Sequence, residues 1–334
     1  MSALIELLDV HKAFGAAPAA DGLNLTIVRG ECVVLLGPSG SGKSTALKLI
    51  NRLVEPDRGE VLFDGCDVRS FAPEVLRRQM GYAIQSIGLF PHWTVARNVG
   101  TVPTLLGWRV SRVEARIDEF LALLGLEPAE FRHRYPHQLS GGQQQRVGVA
   151  RALAAEPQVL LMDEPFGALD PLTRQELQRE LARLQRKLGQ TLVLVTHDVD
   201  EALRLATRIV LMQRGRIVQE ATPLELLRRP ANAWVAEFIG RADIGLRLLG
   251  LHSVAERMRP LAPGSSGGPE DEVGRAGDAS DADGARTTPL SPGSNLRDAL
   301  AEFLAQRSEW LPVADARGQR VGELHLPDLL EREA

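Results

Sequence analysis

The chain has 334 residues, which is enough for one large domain and a second, smaller one. Its net charge of −4 excludes the overall basic field typical of nucleic-acid-binding proteins, and its two cysteines exclude a disulfide framework. No stretch approaches the ~20 apolar residues that span a bilayer, and the acidic first ten residues do not resemble a signal peptide. If the protein works at a membrane, we expect it to do so through a partner.

The first elements in chain order are two short strands, predicted at residues 4–10 and 23–28 by their alternating apolar pattern. Phe14 lies between them, in a chain that is only 4% aromatic. An exposed aromatic ring upstream of a phosphate site can stack on a purine base. The alternative is that Phe14 is a minor core residue, and spacing alone leaves both interpretations open.

A glycine-rich loop follows the apolar run Cys32–Leu36 and precedes a segment of helical composition. Strand, loop and helix in this order form the context of the phosphate-binding pattern G-x-x-x-x-G-K-S. Glycines let backbone N–H groups face an anion, and the helix start adds its positive dipole end. Lys43 supplies a charge for the β- and γ-phosphates, and Ser44 offers a hydroxyl to Mg²⁺. We therefore predict a nucleoside triphosphate site made by Gly37, Pro38, Ser39, Gly40, Ser41, Gly42, Lys43, Ser44 and Thr45.

A second glycine-containing loop opens a helix further along the chain, at Leu139–Gln143. Between the two loops, residues 81–85 form a predicted strand that ends on Gln85, whose amide oxygen can coordinate Mg²⁺ or its water. The segment from 86 to about 155 then has helical composition and predicts a helical subdomain. The chain thus has two helix starts of the kind that bind anions.

Two further apolar runs, 159–162 and 191–196, predict buried parallel strands. The first ends in Asp163 and Glu164, and the second is followed by His197. Ligands bind at the carboxyl ends of strands in open α/β sheets. Asp163 is therefore placed for Mg²⁺ or its waters, Glu164 to deprotonate an attacking water, and His197 to reach a γ-phosphate. The alternative for Asp163 and Glu164 is that they lie in a solvated turn. The alternative for His197 is that it is a polar residue on the surface.

Together these motifs resemble the ATPase subunit of ABC transporters over roughly residues 4–240. The resemblance implies a P-loop NTPase of the α/β class, with a RecA-like core, an antiparallel β subdomain and a helical subdomain. Six motifs carry it: Walker A at 37–45, the Q-loop at Gln85, the signature sequence at 139–143, Walker B at 159–163 with Glu164, the D-loop ending in Asp170, and the H-loop at His197.

The resemblance also implies roles for these residues, with ATP and Mg²⁺ as cofactors. Phe14 would stack on adenine, Glu164 would be the catalytic base, and His197 and Gln85 would complete the catalytic set. Ser44, Gln85 and Asp163 would hold Mg²⁺, the last through water. The family closes as a head-to-tail dimer, so ATP on one chain would contact the other chain's Ser140, Gly141, Gly142 and Gln143.

The segments 84–95 and 162–172 narrow the resemblance to importers of glycine betaine, choline, carnitine and related osmoprotectants. This implies a homodimer at the cytoplasmic face of the cell membrane. Its partners would be a permease, docked by residues 86 to about 99, and an extracytoplasmic solute-binding protein. One alternative is an importer ATPase for another small solute, such as an amino acid. A second alternative is a soluble ABC ATPase that acts on ribosomes or nucleic acid, although we expect no nucleic-acid partner.

The C-terminal part changes character. We predict that the ATPase domain covers 1–240, a connector 241–260, a flexible Gly/Ser/Pro-rich linker 261–294, and a small α+β unit 295–334. The last unit resembles a single CBS motif, with a short helix expected at 326–331. In that family the position of Asp328 holds an adenosine ribose. His325 replaces the usual Thr or Ser, and a tail that only helps the chain to dimerise is the alternative to an adenine-nucleotide ligand.

Overall fold

The computed structural model describes residues 2–15, 17–84, 88–167, 169–261 and 288–329. The chain divides into two compact units, 1–233 and 234–334. The strands of the first unit are β1 Ala3–Phe14, β2 Ala17–Val28, β3 Cys32–Leu36, β4 Arg58–Phe63, β5 Cys66–Asp67, β6 Met80–Ala83, β7 Val159–Asp163, β8 Thr191–Thr196, β9 Arg208–Gln213 and β10 Arg216–Ala221.

The helices that lie between and after these strands are α1 Lys43–Ile50, α2 Pro73–Arg78, α3 Val95–Val99, α4 Thr101–Leu105, α5 Val110–Leu123, α6 Pro128–Phe131, α7 Gly141–Leu153, α8 Pro171–Leu188, α9 Val199–Leu205, α10 Pro223–Arg228 and α11 Ala233–Phe238. Helices α1 to α9 connect the strands and α10 follows the last strand, whereas α11 begins at the last residue of the first unit and otherwise belongs to the second unit. The described part of the predicted helical insert thus contains α3 to α7.

Two sheets organise the first unit. The smaller sheet is antiparallel, in the order β2-β1-β4-β5, and the larger has the order β10-β9-β3-β8-β7-β6. Strands β9, β3, β8, β7 and β6 pair in parallel, and β10 closes the edge antiparallel. The central strands β3 and β8 are buried along their whole length, and all of their residues except Thr191 and Thr196 are apolar. Such strands require cover on both faces, which helices and the second sheet provide.

Parallel pairing brings the ends of three distant segments together. Leu36, which precedes the glycine-rich loop, pairs with Thr196, and Asp163 pairs with Val195. The carboxyl ends of β3, β8 and β7 therefore lie side by side at one edge, although up to 160 residues separate them in the chain. The predicted strands at 159–162 and 191–196 are confirmed.

The second unit is a small α+β fold with its own core. It contains α12 Ile244–Leu251, β11 Arg259–Pro260, α13 Leu296–Gln306, β12 Trp310–Ala314 and β13 Arg320–His325, with the sheet order β11-β13-β12. Asn295 caps α13 by accepting a hydrogen bond from the backbone N–H of Asp298 at 2.8 Å.

Two sequence expectations for this unit need correction. Residues 288–294 belong to the unit and not to the linker expected to reach 294, because Leu290 is buried in its core and pairs with Val313. The helix expected at 326–331 is a single 3₁₀ turn, Leu326–Leu329, within the described residues. The rest of the expected linker, 262–287, and residues 330–334 lie outside the described residues.

Candidate ATP-binding and hydrolysis site

The glycine-rich loop between β3 and α1 is shaped by close backbone approaches. Gly37 and Gly42 have φ of 152° and 101°, and Gly42 directly precedes α1. A Cβ on Gly37 would overlap the carbonyl oxygen of Met212, and one on Gly42 would overlap that of Ala19. Only glycine fits at these positions. The loop is therefore held between β9 and the β1–β2 hairpin.

The start of α1 presents backbone N–H groups without a competing side chain. Gly42 offers no side-chain cap, and the first turn of the helix contains no acidic residue. The first N–H groups of a helix need an acceptor and lie at the positive end of its dipole. This is an arrangement that receives a phosphate.

Lys43 lies within the loop rather than in solvent. Its side chain is 4% exposed, and its Nζ donates to the carbonyl oxygens of Gly37 and Pro38, each at 2.8 Å. Burial lowers the pKa of Lys43, and the charges of Glu164 and Asp163 oppose that shift. The ammonium group is therefore held inside the loop by the loop's own backbone carbonyls.

Ser44 and Asp163 meet across the sheet edge. The Ser44 hydroxyl donates to Asp163 Oδ1 at 2.8 Å. Hydroxyl and carboxylate oxygens are the hard ligands that Mg²⁺ takes, usually together with waters and phosphate oxygens. The pair fits the predicted Mg²⁺ position, and the glycine cradle and Lys43 fit the phosphates. Gln85, the third expected ligand, lies outside the described residues.

Glu164 and His197 form the next contact along this edge. His197 Nδ1 lies 3.3 Å from Glu164 Oε1, and the histidine side chain is 58% exposed while the glutamate is 23% exposed. Glu164 has a positive φ of 45°, an uncommon conformation for a residue with a side chain. A strained carboxylate beside a phosphate site is a typical arrangement for a catalytic group.

The β1–β2 hairpin carries Phe14 toward the same region. Phe14 is at the end of β1, where it pairs with Ala17, two residues before the Ala19 that touches Gly42. Its ring is 56% exposed, and Lys12 Nζ lies 5.7 Å from the ring centroid. Phe14 is thus at a hairpin end rather than in a loop, and it is not a core residue.

The signature segment and the D-loop residue each cap a helix. Ser140 Oγ accepts from the backbone N–H of Gln143 at 3.3 Å, while Gln143 Oε1 accepts from that of Ser140 at 3.0 Å. Asp170 Oδ1 accepts from Thr173 N at 3.0 Å, and this bond lowers the pKa of Asp170. Within the described residues, no hydrogen bond or ion pair joins Ser140–Gln143 to the glycine-rich loop, so these two helix starts do not contact each other through polar groups.

One buried acid at this edge was not found from the sequence. Glu201, in the first turn of α9, is 5% exposed and accepts a hydrogen bond from the Thr196 hydroxyl at 3.2 Å. Burial raises its pKa from 4.5 to about 8. The sequence does place Glu201 three residues after Asp198, the N-cap of α9. That spacing usually indicates an acid at an exposed helix start, so it did not indicate that Glu201 is buried.

The fold and this sheet edge define a P-loop ATPase, and comparison with known proteins identifies its family. The chain matches the ABC transporter family over residues 20–167. It is 56% identical over 327 residues to the glycine betaine uptake system ATP-binding protein YehX of Escherichia coli, covering 98% of this chain and 99% of that protein. The chain therefore belongs to the ATP-binding subunits of ABC transporters, which bind ATP with Mg²⁺ and hydrolyse it to drive transport.

Other relatives agree with this assignment. The osmoprotectant import ATP-binding protein OsmV of Salmonella typhimurium is 43% identical, over 94% of this chain and 91% of its own. OpuCA of Bacillus subtilis, a glycine betaine/carnitine/choline transport ATP-binding protein, is 52% identical over 71% of this chain, which spans 63% of OpuCA. The dimeric ATP-binding cassette MJ0796 with ADP and Pi superposes with a TM-score of 0.59 at 35% identity, over 66% of this chain and 99% of that one.

ATP-binding subunits of importers work as dimers with membrane permeases and solute-binding partners, at the cytoplasmic side of the membrane. Among the described residues, no helix is long and apolar enough to cross a bilayer.

Proposed function

We propose that this chain is the ATP-hydrolysing subunit of an importer for glycine betaine, choline, carnitine or a related quaternary-ammonium osmoprotectant. The observation that supports hydrolysis is the convergence of Lys43, Ser44, Asp163, Glu164 and His197 at the ends of β3, β7 and β8. The supporting observation for the solute is the identity to YehX over nearly the whole of both chains.

Each side chain at the sheet edge has a proposed part in ATP hydrolysis. Lys43 and the loop N–H groups neutralise charge on the phosphates, and Glu164 holds and deprotonates the attacking water. Ser44 and Asp163, with Gln85, would hold Mg²⁺, which supplies further charge neutralisation. His197, oriented by Glu164, would contact the γ-phosphate.

The active unit is proposed to be a homodimer. Ser140–Gln143 of a second copy would complete each ATP site, because the signature helix of one chain has no bond to its own phosphate loop among the described residues. Asp170 lies at the start of α8 beside this segment, where it would also face the second copy. Phe14 would stack on adenine from its exposed position.

A single substitution tests hydrolysis and dimerisation together. Glu164→Gln keeps the shape of the side chain but removes the base. We expect it to bind ATP, to turn over at least about a hundredfold more slowly, and to accumulate as an ATP-bound dimer. Lys43→Ala serves as the control that loses ATP binding. Near-normal turnover by Glu164→Gln would show that Glu164 is not the base.

The solute and the partners need a separate experiment. We propose a permease and an extracytoplasmic solute-binding protein as partners, with this subunit at the cytoplasmic face of the membrane. A strain lacking the gene should lose uptake of radiolabelled glycine betaine, and the wild-type gene should restore it while the Glu164→Gln gene should not. Unchanged uptake of betaine, choline and carnitine in the deleted strain would exclude this substrate class.

An adenine nucleotide remains a proposed ligand of the second unit, at Asp328. Arg259 already donates to both carboxylate oxygens of Asp328, at 2.8 and 2.9 Å. A ribose would have to displace this bidentate ion pair. Calorimetric titration of ATP, ADP and AMP into Lys43→Ala protein isolates the second unit, and heat that disappears on Asp328→Asn would support the site. Absence of heat would favour a role in dimerisation alone.

A further inference from the structure

The signature helix α7 and the D-loop helix α8 lie against each other along two turns. Gly142 packs against Thr173 so closely that a Cβ on Gly142 would overlap the threonine methyl group. One turn later on α7, Arg146 lies beside Glu176 and Glu180, which follow Thr173 on successive turns of α8. Later residues of α7 contact later residues of α8, so the two helices run parallel with their N-termini at the same end.

Arg146 joins these two helices to a third element. Its Nη1 donates to the carbonyl oxygen of Leu124, just after α5, at 3.2 Å and lies 3.4 Å from Glu180 Oε1. Its Nη2 lies 3.5 Å from Glu176 Oε2. The Arg146 side chain is only 16% exposed. A guanidinium group spreads five donors over a planar fork, so it can contact acceptors on α8 and after α5 from α7, whereas an ammonium group presents its three donors from a single nitrogen atom.

Arg146 faces a partly buried carboxylate and lines a pocket next to the signature segment. Burial raises the pKa of Glu180, and Arg146 is the main charge that opposes the shift, with Glu176 and Arg183 as the other charged groups that face it. A pocket of about 210 Å³ lies beside this contact, and its lining includes Ser140, Gln143 and Arg146. Removal of the Arg146 side chain would therefore enlarge a pocket that already borders the signature segment.

We propose that Arg146 is a positioning residue, which locks the signature helix to the D-loop helix and to the end of α5. Ser140 and Asp170 would then face a second copy of the chain as one rigid surface. This inference rests on the proposed dimeric ATP site, and it assigns Arg146 no contact with ATP.

The test separates positioning from stability. Arg146→Met has a similar length but no charge or donors, and Arg146→Met/Glu180→Leu also removes the more buried of the two carboxylates that face Arg146. Replacing both partners of a buried ion pair is often neutral for stability, whereas removing one is costly. Arg132→Met is the matched control, because Arg132 is half-buried and bridges Glu114 and Asp118 within the same helical insert.

All variants are made in the Glu164→Gln background, and two quantities are measured. ATP affinity at low protein concentration should be unchanged, because Lys43 and its loop are intact. The dissociation constant of the ATP-bound dimer should rise about tenfold or more in Arg146→Met, and it should stay raised in the double variant even though the thermal stability recovers. Arg132→Met should dimerise as its parent does.

The outcomes are distinct. The positioning role would be refuted if the double variant recovered dimerisation together with stability. It would also be refuted if Arg146→Met formed a normal dimer. Failure of the parent Glu164→Gln protein to dimerise with ATP would instead refute the proposed dimeric site. In the Glu164-containing protein, Arg146→Met should lower kcat more than it raises KM. Arg146→Lys should recover only part of the lost kcat, because an ammonium group presents its donors from one atom rather than from a planar fork.

Discussion

Glu201 offers a quantitative test of the electrostatics at the sheet edge. One of its carboxylate oxygens accepts from Thr196, and the other is buried without a hydrogen-bond partner among the described residues. The charged groups that face it are Asp198, Arg174 and Glu164, two of which are acidic. Burial first, and these acids second, raise its pKa from 4.5 to about 8, so the folded protein holds a proton there at neutral pH.

The sign of the effect follows from proton binding. Between the unfolded value of 4.5 and the folded value of about 8, the folded state binds more protons at Glu201 than the unfolded state does. Stability therefore falls as pH rises through this window, at up to about 1.4 kcal/mol per pH unit. Between about pH 5 and pH 8 the loss from this one group is roughly 3 kcal/mol.

Glu201→Gln removes the titration while keeping the shape. We expect the variant to gain roughly 3 kcal/mol relative to the wild type as pH is raised from about 5 to 8, measured by urea unfolding of both proteins at each pH. Glu225→Gln is the control. The exposed Glu225 side chain accepts a hydrogen bond from the backbone N–H of Thr222 at 3.0 Å, and this bond lowers its pKa, so its contribution to stability is lost only on acidification. If the difference in free energy of unfolding between the wild type and Glu201→Gln does not change with pH, Glu201 is not a buried neutral acid.

Two further predictions concern the phosphate loop and the second unit. Gly42→Ala should weaken ATP binding at least about tenfold, because its Cβ would overlap the Ala19 carbonyl. Gly245→Ala is the control, because Gly245 has open space around it, no positive φ and no part in the ATP site. Equal ATP affinities of the two variants in a fluorescent-nucleotide titration would contradict the geometry. Leu290→Ala should destabilise the second unit by about 2–4 kcal/mol, since Leu290 is 5% exposed in its core; a hydrogen-exchange profile of α13 and β12 identical to the wild type would place residues 288–294 outside that core.

Much of the fold was predictable because its signals are local. A run of four apolar residues with an acid or a histidine shortly after it indicates a buried strand with polar groups at its end. In β7 the acid follows the run directly, and in β8 the histidine follows after Thr196. The glycine-rich loop was recognisable because its backbone conformation excludes other residues. The ends of β1 and β2 were less predictable: both strands extend beyond their apolar alternation, since the hairpin pairs Phe14 with Ala17.

The boundary of the second unit was missed for a different reason. Residues 288–294 have the composition of a linker, and nothing within the segment itself indicates that Leu290 is buried. Its partner strand β12 begins 20 residues later, so the contact is visible only once the unit is folded. Composition describes the capacity of a segment to form a core alone, not its capacity to join one.

The sequence by itself determined which groups are available for ATP hydrolysis: an anion-binding loop with Lys43 and Ser44, acids at 163 and 164, and a histidine at 197. Only the tertiary structure decided which of them meet. Parallel pairing of β3, β8 and β7 sets Ser44 2.8 Å from Asp163 and His197 3.3 Å from Glu164. It also decided that Arg146 bridges three elements and that Glu201 is buried, because strand order and burial depend on the packing of the whole unit rather than on neighbours in the chain.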